Sequence, residues 1–223
     1  MEGAKMNTES DQSKMLFTGG SGLLGKNFHL LCPGINYPTS NEFDVTNYEQ
    51  MEAYIKDKDI SLVIHAAAFT SPPKINEDPA KAIEVNIIGT ANVVKLCMEQ
   101  QIKLIYISTD YVFRGDKGNY NELDEVYPVN KYAWSKLGGE CAMQMYDNSL
   151  IIRTTFGPVP FPYDKAFVDQ FTSRQSVIEI TEKIATLIDA DITATIHVGG
   201  PRRTVYEYAK SLGLSKEIGE KLD

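Results

Sequence analysis

Short apolar runs alternate with longer amphipathic stretches along the chain from Lys14 onward. Several runs are almost continuously apolar, as parallel strands buried on both faces are: "KMLFT", "SLVIHAAA", "IKLIYIST" and "SLIIRTT". Between them, apolar residues recur at helical spacing, first in "GLLGKNFHLLC", which ends at Pro33 and Gly34. The pattern therefore predicts strands that alternate with helices.

The rest of the chain continues this alternation. Helices are predicted over roughly 47–58, 80–99, 131–145, 177–188 and 205–212, and short strands near 35–37 and 194–198. A polar loop over 114–129 precedes the helix at 131. Alternating strands and helices imply right-handed crossovers, so the predicted fold class is α/β, a Rossmann-type doubly wound parallel sheet.

The same pattern predicts the domain organisation. Residues 1–13 are polar and show no periodicity, so we expect a disordered N-terminal tail. A Rossmann domain is expected over 14–157. The last strand and helices then fall in a small, shortened C-terminal substrate lobe over 158–223.

Composition and charge narrow the partners. The 223 residues are 43% hydrophobic with a net charge of −8, which disfavours nucleic acid and anionic membranes. No apolar run approaches the about 18 residues of a transmembrane helix. Cys32, Cys97 and Cys141 lie far apart, so neither a metal site nor a disulfide framework is predicted. We expect a cytoplasmic protein with no metal, nucleic acid or membrane partner.

A glycine-rich segment, "TGGSGLLG", follows the first predicted strand and opens the first helix. In such a segment one glycine permits a tight turn, the next lets a pyrophosphate approach, and the third lets helix and strand pack closely; Gly19, Gly22 and Gly25 fit these positions. The helix N-terminus would offer free N–H groups to the phosphates. The alternative is a flexible turn, but the position between strand and helix favours a dinucleotide site.

The end of the second predicted strand bears on the choice between NAD and NADP. It reads "INYPTS" and lacks the acid that usually binds the ribose of NAD. Lys26 is a candidate partner for the extra phosphate of NADP, and Asp44 is expected beside the adenine. The expected cofactor is NADP or NAD, with NADPH preferred.

The chemistry is predicted at Tyr132 and Lys136, four residues apart in "YAWSK" and hence on one helix face. The pKa of tyrosine is normally about 10, and a nearby ammonium lowers it by favouring the phenolate. Thr109 ends the strand "IKLIYIST" at the carboxyl edge of the sheet, where its hydroxyl could hold a substrate carbonyl oxygen. This spacing also occurs by chance, but together with the glycine-rich segment it favours acid catalysis.

These motifs, in this order, resemble the extended short-chain dehydrogenase/reductase family over about residues 14–188. Other similar segments are "VIHAAAFT", "VNIIGTANVVKLC" and "PVNKYAWSKLGGE". "STDYVF" and "DQFTSRQSVIEITEKIATLI" are similar to the dTDP-4-dehydrorhamnose reductase subgroup, which usually has Pro-Thr where this chain has Arg174 and Gln175. The resemblance implies NAD(P)H-dependent reduction of a 4-keto-6-deoxy sugar carried on a nucleotide.

The resemblance also implies roles for individual residues. Thr109, Tyr132 and Lys136 would form the catalytic triad, with Tyr132 protonating the carbonyl oxygen. The implied cofactor site comprises Gly19, Ser21, Gly22, Leu23, Leu24, Asp44, Val45, Ala66, Ala67, Ala68, Tyr132 and Lys136. Substrate contacts are implied for Thr70, Asn86 and Arg153, although Asn86 equally fits a structural hydrogen bond and Arg153 a buried structural arginine.

The assembly and the substrate lobe follow from the resemblance as well. It implies a homodimer in which the helices near 80–99 and 131–145 form a four-helix interface. Leu137, Ala142 and Met145 are candidate contacts there, or they face the sheet. The lobe is shorter than in the family both before and after "DQFTS", so the identity of the sugar stays open.

Three alternatives to the reductase stay open. An epimerase would recycle the hydride. A dehydratase usually has Asp-Glu after the threonine, whereas Asp110 is followed here by Tyr111, which counts against it. A non-catalytic NAD(P)-binding subunit would regulate a partner, but the retained triad argues against that reading.

Overall fold

The computed structural model describes residues 12–213 and the backbone of residues 219 and 220. The predicted tail over 1–13 lies almost entirely outside the described residues. The central sheet consists of β1 Met15–Thr18, β2 Leu62–His65, β3 Lys103–Thr109, β4 Ser149–Thr154 and β5 Thr195–Val198. The helices are α1 Leu23–Leu31, α2 Tyr48–Ile55, α3 Pro72–Glu77, α4 Pro79–Ala82, α5 Gly89–Gln100, α6 Lys131–Met143, α7 Val177–Ile188 and α8 Val205–Ser211.

Neighbouring strands of the sheet are all parallel and follow the order β1, β2, β3, β4, β5. The strand predicted near 35–37 is reduced to one parallel bridge, in which Asn36 pairs with Leu16 at the edge of β1. Alternate strand residues are buried on opposite faces, so Phe17 packs with α1 and α7, whereas Leu16 packs with α2 and α5. Helices cover both faces, and the fold is the doubly wound Rossmann sheet predicted from the alternation.

A small lobe of two-residue strands is added to this sheet. Its pairs are Phe156–Gly157 with Gln175–Ser176, Phe171–Thr172 with Arg203–Thr204, and the backbone of Ala166–Phe167 with Gly219–Glu220. Phe161 and Ala166 pack there against Tyr208 of α8. The Rossmann sheet also includes residues beyond the predicted boundary at 157. After the first part of the lobe, α7 and β5 pack on and pair with the sheet, and α8 then returns to the lobe. The lobe is therefore made of two separate segments.

The helix predicted over 80–99 is not regular. It consists of α4, a π-helical turn over Ile83–Ile88, and α5. The wider turn directs the buried side chain of Asn86 to the backbone of Phe69. Helix α3 falls in a segment with two consecutive prolines, for which the apolar pattern predicts no helix.

Neither a membrane-spanning helix nor a cluster of metal ligands is found among the described residues. Within residues 12–213, no helix is both long and apolar enough to span a bilayer. The same residues contain no group of three or more His, Cys, Asp or Glu side chains placed to hold a metal ion.

Candidate active site

A cleft of about 850 Å³ opens along the carboxyl ends of the strands, within the size range of small-molecule sites. It brings together most of the residues singled out from the sequence: Gly19, Ser21, Gly22, Leu23, Leu24, Asp44, Val45, Ala66, Ala67, Ala68, Thr70, Thr109, Tyr132 and Lys136. Asn86 and Arg153 do not line it, and neither does Lys26. The cleft continues into the small lobe at Phe156 and Tyr163.

The backbone of the glycine-rich segment could not accommodate larger residues in place of two of its glycines. Gly19 adopts a φ of +79°, and a Cβ there would lie 2.8 Å from the backbone nitrogen of Ala67. At Gly25 a Cβ would lie 2.5 Å from the Cα of Gly20, so helix and turn are in backbone contact. Gly22 caps α1 without a side-chain hydrogen bond, leaving the first N–H groups directed at the cleft. This arrangement fits the pyrophosphate of a dinucleotide.

Hydroxyl groups line the part of the cleft next to Asn36, where a ribose would lie. Thr39 and Ser40 face the cleft there. Glu42, which the sequence reading missed, accepts hydrogen bonds from the backbone N–H and the hydroxyl of Thr39, both at 2.8 Å. Its position about 20 residues after the glycine-rich segment could have identified it from the sequence, because ribose-binding acids occur at that spacing. Asp44 accepts from the N–H and hydroxyl of Thr46 at 2.9 and 2.8 Å and so fixes a turn at the cleft wall.

Helix α6 places Tyr132 opposite Thr109. The helix starts at Asn130, whose side chain accepts from the N–H of Ala133 at 2.9 Å. The interaction of the Tyr132 hydroxyl with the side chain of Thr109 opposes but does not cancel the effect of burial, and the pKa of Tyr132 is raised to about 12. The expected lowering by Lys136 is not found, because burial lowers the pKa of Lys136 itself and leaves it uncharged at the pH where Tyr132 titrates.

Lys136 lies beneath Tyr132 in the interior. Its side chain is only 2% exposed. Burial lowers the pKa of Lys136 to about 7, although the charge of Glu140 one turn later opposes this shift. The ammonium lies 4.0 Å from the centre of the Tyr106 ring, a neighbour that the sequence reading also missed.

Asn86 and Arg153 support the site from behind. Asn86 accepts from the N–H of Phe69 at 2.7 Å and donates to the hydroxyl of Ser135 on α6 at 2.8 Å. Arg153 forms a buried ion pair with Glu140, with Nη2 at 2.8 Å from Oε2. The sequence left open whether these residues contact the substrate or stabilise the structure. In the structure, both form buried structural contacts and neither lines the cleft.

Two further charged side chains lie near Thr109. Asp110 follows it directly, and burial raises the pKa of Asp110 to about 6, while Arg174 opposes this shift. Arg174 lines the cleft, and its Nε is 3.5 Å from the hydroxyl of Thr155. Its position at the cleft wall gives the site one cation close to the predicted catalytic threonine.

The sequence matches the family model described as the RmlD substrate binding domain over residues 13–208. It is 32% identical over 235 residues to the dTDP-4-dehydrorhamnose reductase of Mycobacterium tuberculosis, covering 92% of this chain and 76% of the relative. The enzyme of the same name from Aggregatibacter actinomycetemcomitans is 32% identical over 154 residues, which covers 65% of this chain and only about half, 52%, of the relative.

A solved structure shares the fold over most of the chain. The dTDP-4-dehydrorhamnose reductase of Bacillus anthracis, crystallised in complex with NADP, superposes with a TM-score of 0.84 at 26% identity. The superposition covers 93% of this chain and 84% of that one. The Rossmann sheet and the small lobe are thus both within the shared fold.

Proposed function

Because the chain belongs to the RmlD substrate binding domain family, we propose that it is an NAD(P)H-dependent reductase of a 4-keto-6-deoxy sugar carried on a nucleotide. The observation that carries this proposal is the meeting of Thr109, Tyr132 and Lys136 in one cleft with the glycine-rich segment. A carbonyl reductase needs a proton donor next to a nicotinamide site, and this cleft offers both. Homologues named as reductases of such sugars support the substrate class.

The cofactor would lie along the cleft. The glycine-rich segment and the N-terminus of α1 would hold its pyrophosphate, and Ala66, Ala67 and Ala68 would form the floor. When bound, the nicotinamide supplies a hydride. We propose a preference for NADPH, since hydroxyl groups of Thr39 and Ser40 line the cleft after Asn36, whereas the nearby carboxylate of Glu42 is bound to Thr39 and does not line it.

The side chains of this site would handle the proton. Thr109 and Tyr132, which both line the cleft, would together hold the carbonyl oxygen of the sugar. The raised pKa of Tyr132 keeps the phenol protonated at neutral pH, so it can donate its proton to that oxygen. Lys136 lies below it, where its charge favours the phenolate left after the transfer.

The proposal is tested with purified protein, NADPH and a set of 4-keto-6-deoxy nucleotide sugars. We expect loss of the nicotinamide absorbance with at least one of them, together with a reduced sugar in equal amount. Tyr132→Phe should lose most of this activity, by a factor of about 100 or more, while cofactor affinity stays nearly the same. Full activity in that variant would contradict the assigned proton donor.

The alternatives are distinguished by the same assay. An epimerase would convert its sugar without net consumption of NADPH, and a regulatory subunit would bind cofactor but no sugar. Neither is favoured by the reductase names of the homologues. Asp110 is followed by Tyr111 rather than by the glutamate of a dehydratase.

We also propose that the protein is a cytoplasmic homodimer. Within the described residues, Cys32, Cys97 and Cys141 are all free thiols, as is usual in a reducing compartment. Exposed apolar side chains lie on the outer face of α5 and α6, among them Met98 and Trp134. A second copy of this face would cover them and form the four-helix interface.

A further inference from the structure

The buried ammonium of Lys136 rests on an aromatic ring. Its Nζ is 4.0 Å from the centre of the Tyr106 ring, and both side chains are almost fully buried. Glu140 is the nearest acidic side chain on the same helix, but its carboxylate is bound by Arg153 and by the hydroxyl of Ser108. An aromatic face attracts a cation most strongly when water is excluded from both.

Tyr106 is held in place from several sides. Its hydroxyl donates to the backbone carbonyl of Lys136 at 3.3 Å. The ring of His65 on β2 stacks behind it, with the ring centres 5.6 Å apart. Gly139 leaves the space for the hydroxyl, since a Cβ at that position would overlap it. The ring therefore has little freedom to turn away from Lys136.

The hydrogen bonds of His65 fit an uncharged supporting ring. Thr90 donates its hydroxyl proton to the carbonyl of Asn86 at 2.7 Å, so it accepts from Nε2–H of His65 at 3.0 Å. Nδ1 of His65 then accepts from the hydroxyl of Thr18 at 2.8 Å. Burial, followed by the charge of Lys136, lowers the pKa of His65 to about 3. No competing positive charge lies behind the Tyr106 ring.

We propose that Tyr106 is a positioning residue for the reaction, whose ring face carries the ammonium of Lys136 and fixes it beneath Tyr132. The inference rests on the proposed function, in which Lys136 acts on Tyr132. The ionisable groups that face Lys136 are His65 on β2, Tyr106 on β3, and Tyr132 and Glu140 on α6 itself. The Tyr106 ring is in direct contact with the ammonium, and it opposes the loss of charge that burial favours.

The test changes the electron density of the ring while keeping its volume. Tyr106→Phe retains the ring and removes only the hydroxyl, so it serves as the matched control. Pentafluorophenylalanine at position 106 has nearly the shape of phenylalanine but a ring face that no longer attracts a cation. The titration of Lys136 is followed by NMR of protein labelled with carbon-13 in the lysine Cε, with the signal assigned by Lys136→Met. Thermal unfolding checks that each variant is folded.

We expect the Lys136 midpoint to be nearly the same in the wild type and in Tyr106→Phe. With pentafluorophenylalanine it should fall by about 1 pH unit, as expected for a desolvated cation on an aromatic face. The pH profile of single-turnover reduction should move in the same direction, which a mere loss of stability would not cause. Equal midpoints in the phenylalanine and pentafluorophenylalanine proteins would overturn the proposal.

The NMR titration is independent of turnover. A shifted midpoint without reduction of any nucleotide sugar would support the contact between Tyr106 and Lys136 and contradict the proposed function. Normal reduction with an unshifted midpoint would support the proposed function and contradict the role of Tyr106.

Discussion

Tyr132 and Lys136 share one face of α6, and burial changes the pKa of each toward its uncharged form. It raises the pKa of Tyr132 to about 12 and lowers that of Lys136 to about 7. The charged forms lose hydration in the interior, and the Tyr132–Thr109 and Lys136–Glu140 interactions recover only part of it. The phenol consequently keeps its proton at neutral pH, which is the form that a carbonyl reduction needs.

The lowered pKa of Lys136 predicts a pH dependence of folding. Between about 7 and the ordinary value of 10.5, the unfolded chain binds a proton at Lys136 that the folded chain does not. The free energy of unfolding should therefore rise with pH across this window. Denaturant unfolding of the cofactor-free protein at several pH values measures the slope, and Lys136→Met should lack the part due to this group. The same slope in both proteins would contradict the assigned shift.

Glu42 is expected to influence the choice of cofactor. Its exposed carboxylate is bound to Thr39, which lines the part of the cleft where the 2′-phosphate of NADP would lie. Removing that charge in Glu42→Gln should raise the preference for NADPH over NADH by about threefold, the size expected for an exposed charge pair. Dissociation constants for both cofactors measure the ratio. Glu49→Gln, an exposed acid on α2, is the matched control and should leave the ratio unchanged.

Individual site residues were predictable from sequence where chemistry and spacing are local. The glycine-rich segment and the Tyr132–Lys136 pair read directly from neighbouring positions. Tyr106 could not be found in this way, because an apolar strand residue gives no sign of which helix side chain packs on it. The positions of Arg153 and Asn86 could not be predicted either. A buried partner such as Glu140 decides whether such a residue faces the cleft or supports it, and that partner cannot be identified from the sequence.

At the scale of elements, the start of α6 is the sensitive point. The Asn130 side chain caps the helix only two residues before Tyr132. Asn130→Ala should lower the free energy of unfolding by about 1 kcal/mol, because one helix N–H loses its acceptor. It should also reduce kcat more than cofactor affinity, since the first turn carries the proton donor. Asn130→Ser keeps a capping oxygen and should restore most of both, as measured by denaturant unfolding and steady-state kinetics.

The periodicity of apolar residues predicted the long elements well and the irregular ones poorly. Helix α7 spans Val177–Ile188, which are the predicted bounds. The π-helical turn over Ile83–Ile88 was not predictable, because its wider backbone is stabilised by tertiary hydrogen bonds of Asn86. The strand near 35–37 is reduced to Asn36 because only one residue there pairs with β1.

At the scale of the whole molecule, the alternation of elements was enough to predict a doubly wound sheet. It was not enough to predict where the lobe begins. β5 pairs with β4 although the predicted lobe begins before it, and this pairing joins residues far apart in sequence. Two-residue strands such as Phe171–Thr172 have no periodicity of their own, so the lobe is defined only by its long-range pairs.

The proposed homodimer gives the last prediction. Trp134 lies on α6 and Met145 two residues after its end, and they are 54% and 74% exposed; Met98 of the adjacent α5 is 45% exposed. A four-helix interface would bury these side chains, so Trp134→Lys would place a charge in the centre of an apolar contact. At micromolar concentration we expect the wild type to sediment as a dimer and this variant as a monomer. Leu30→Lys changes a residue that is 83% exposed on α1, outside this face, and should leave the dimer intact. Monomeric wild-type protein would rule out the interface.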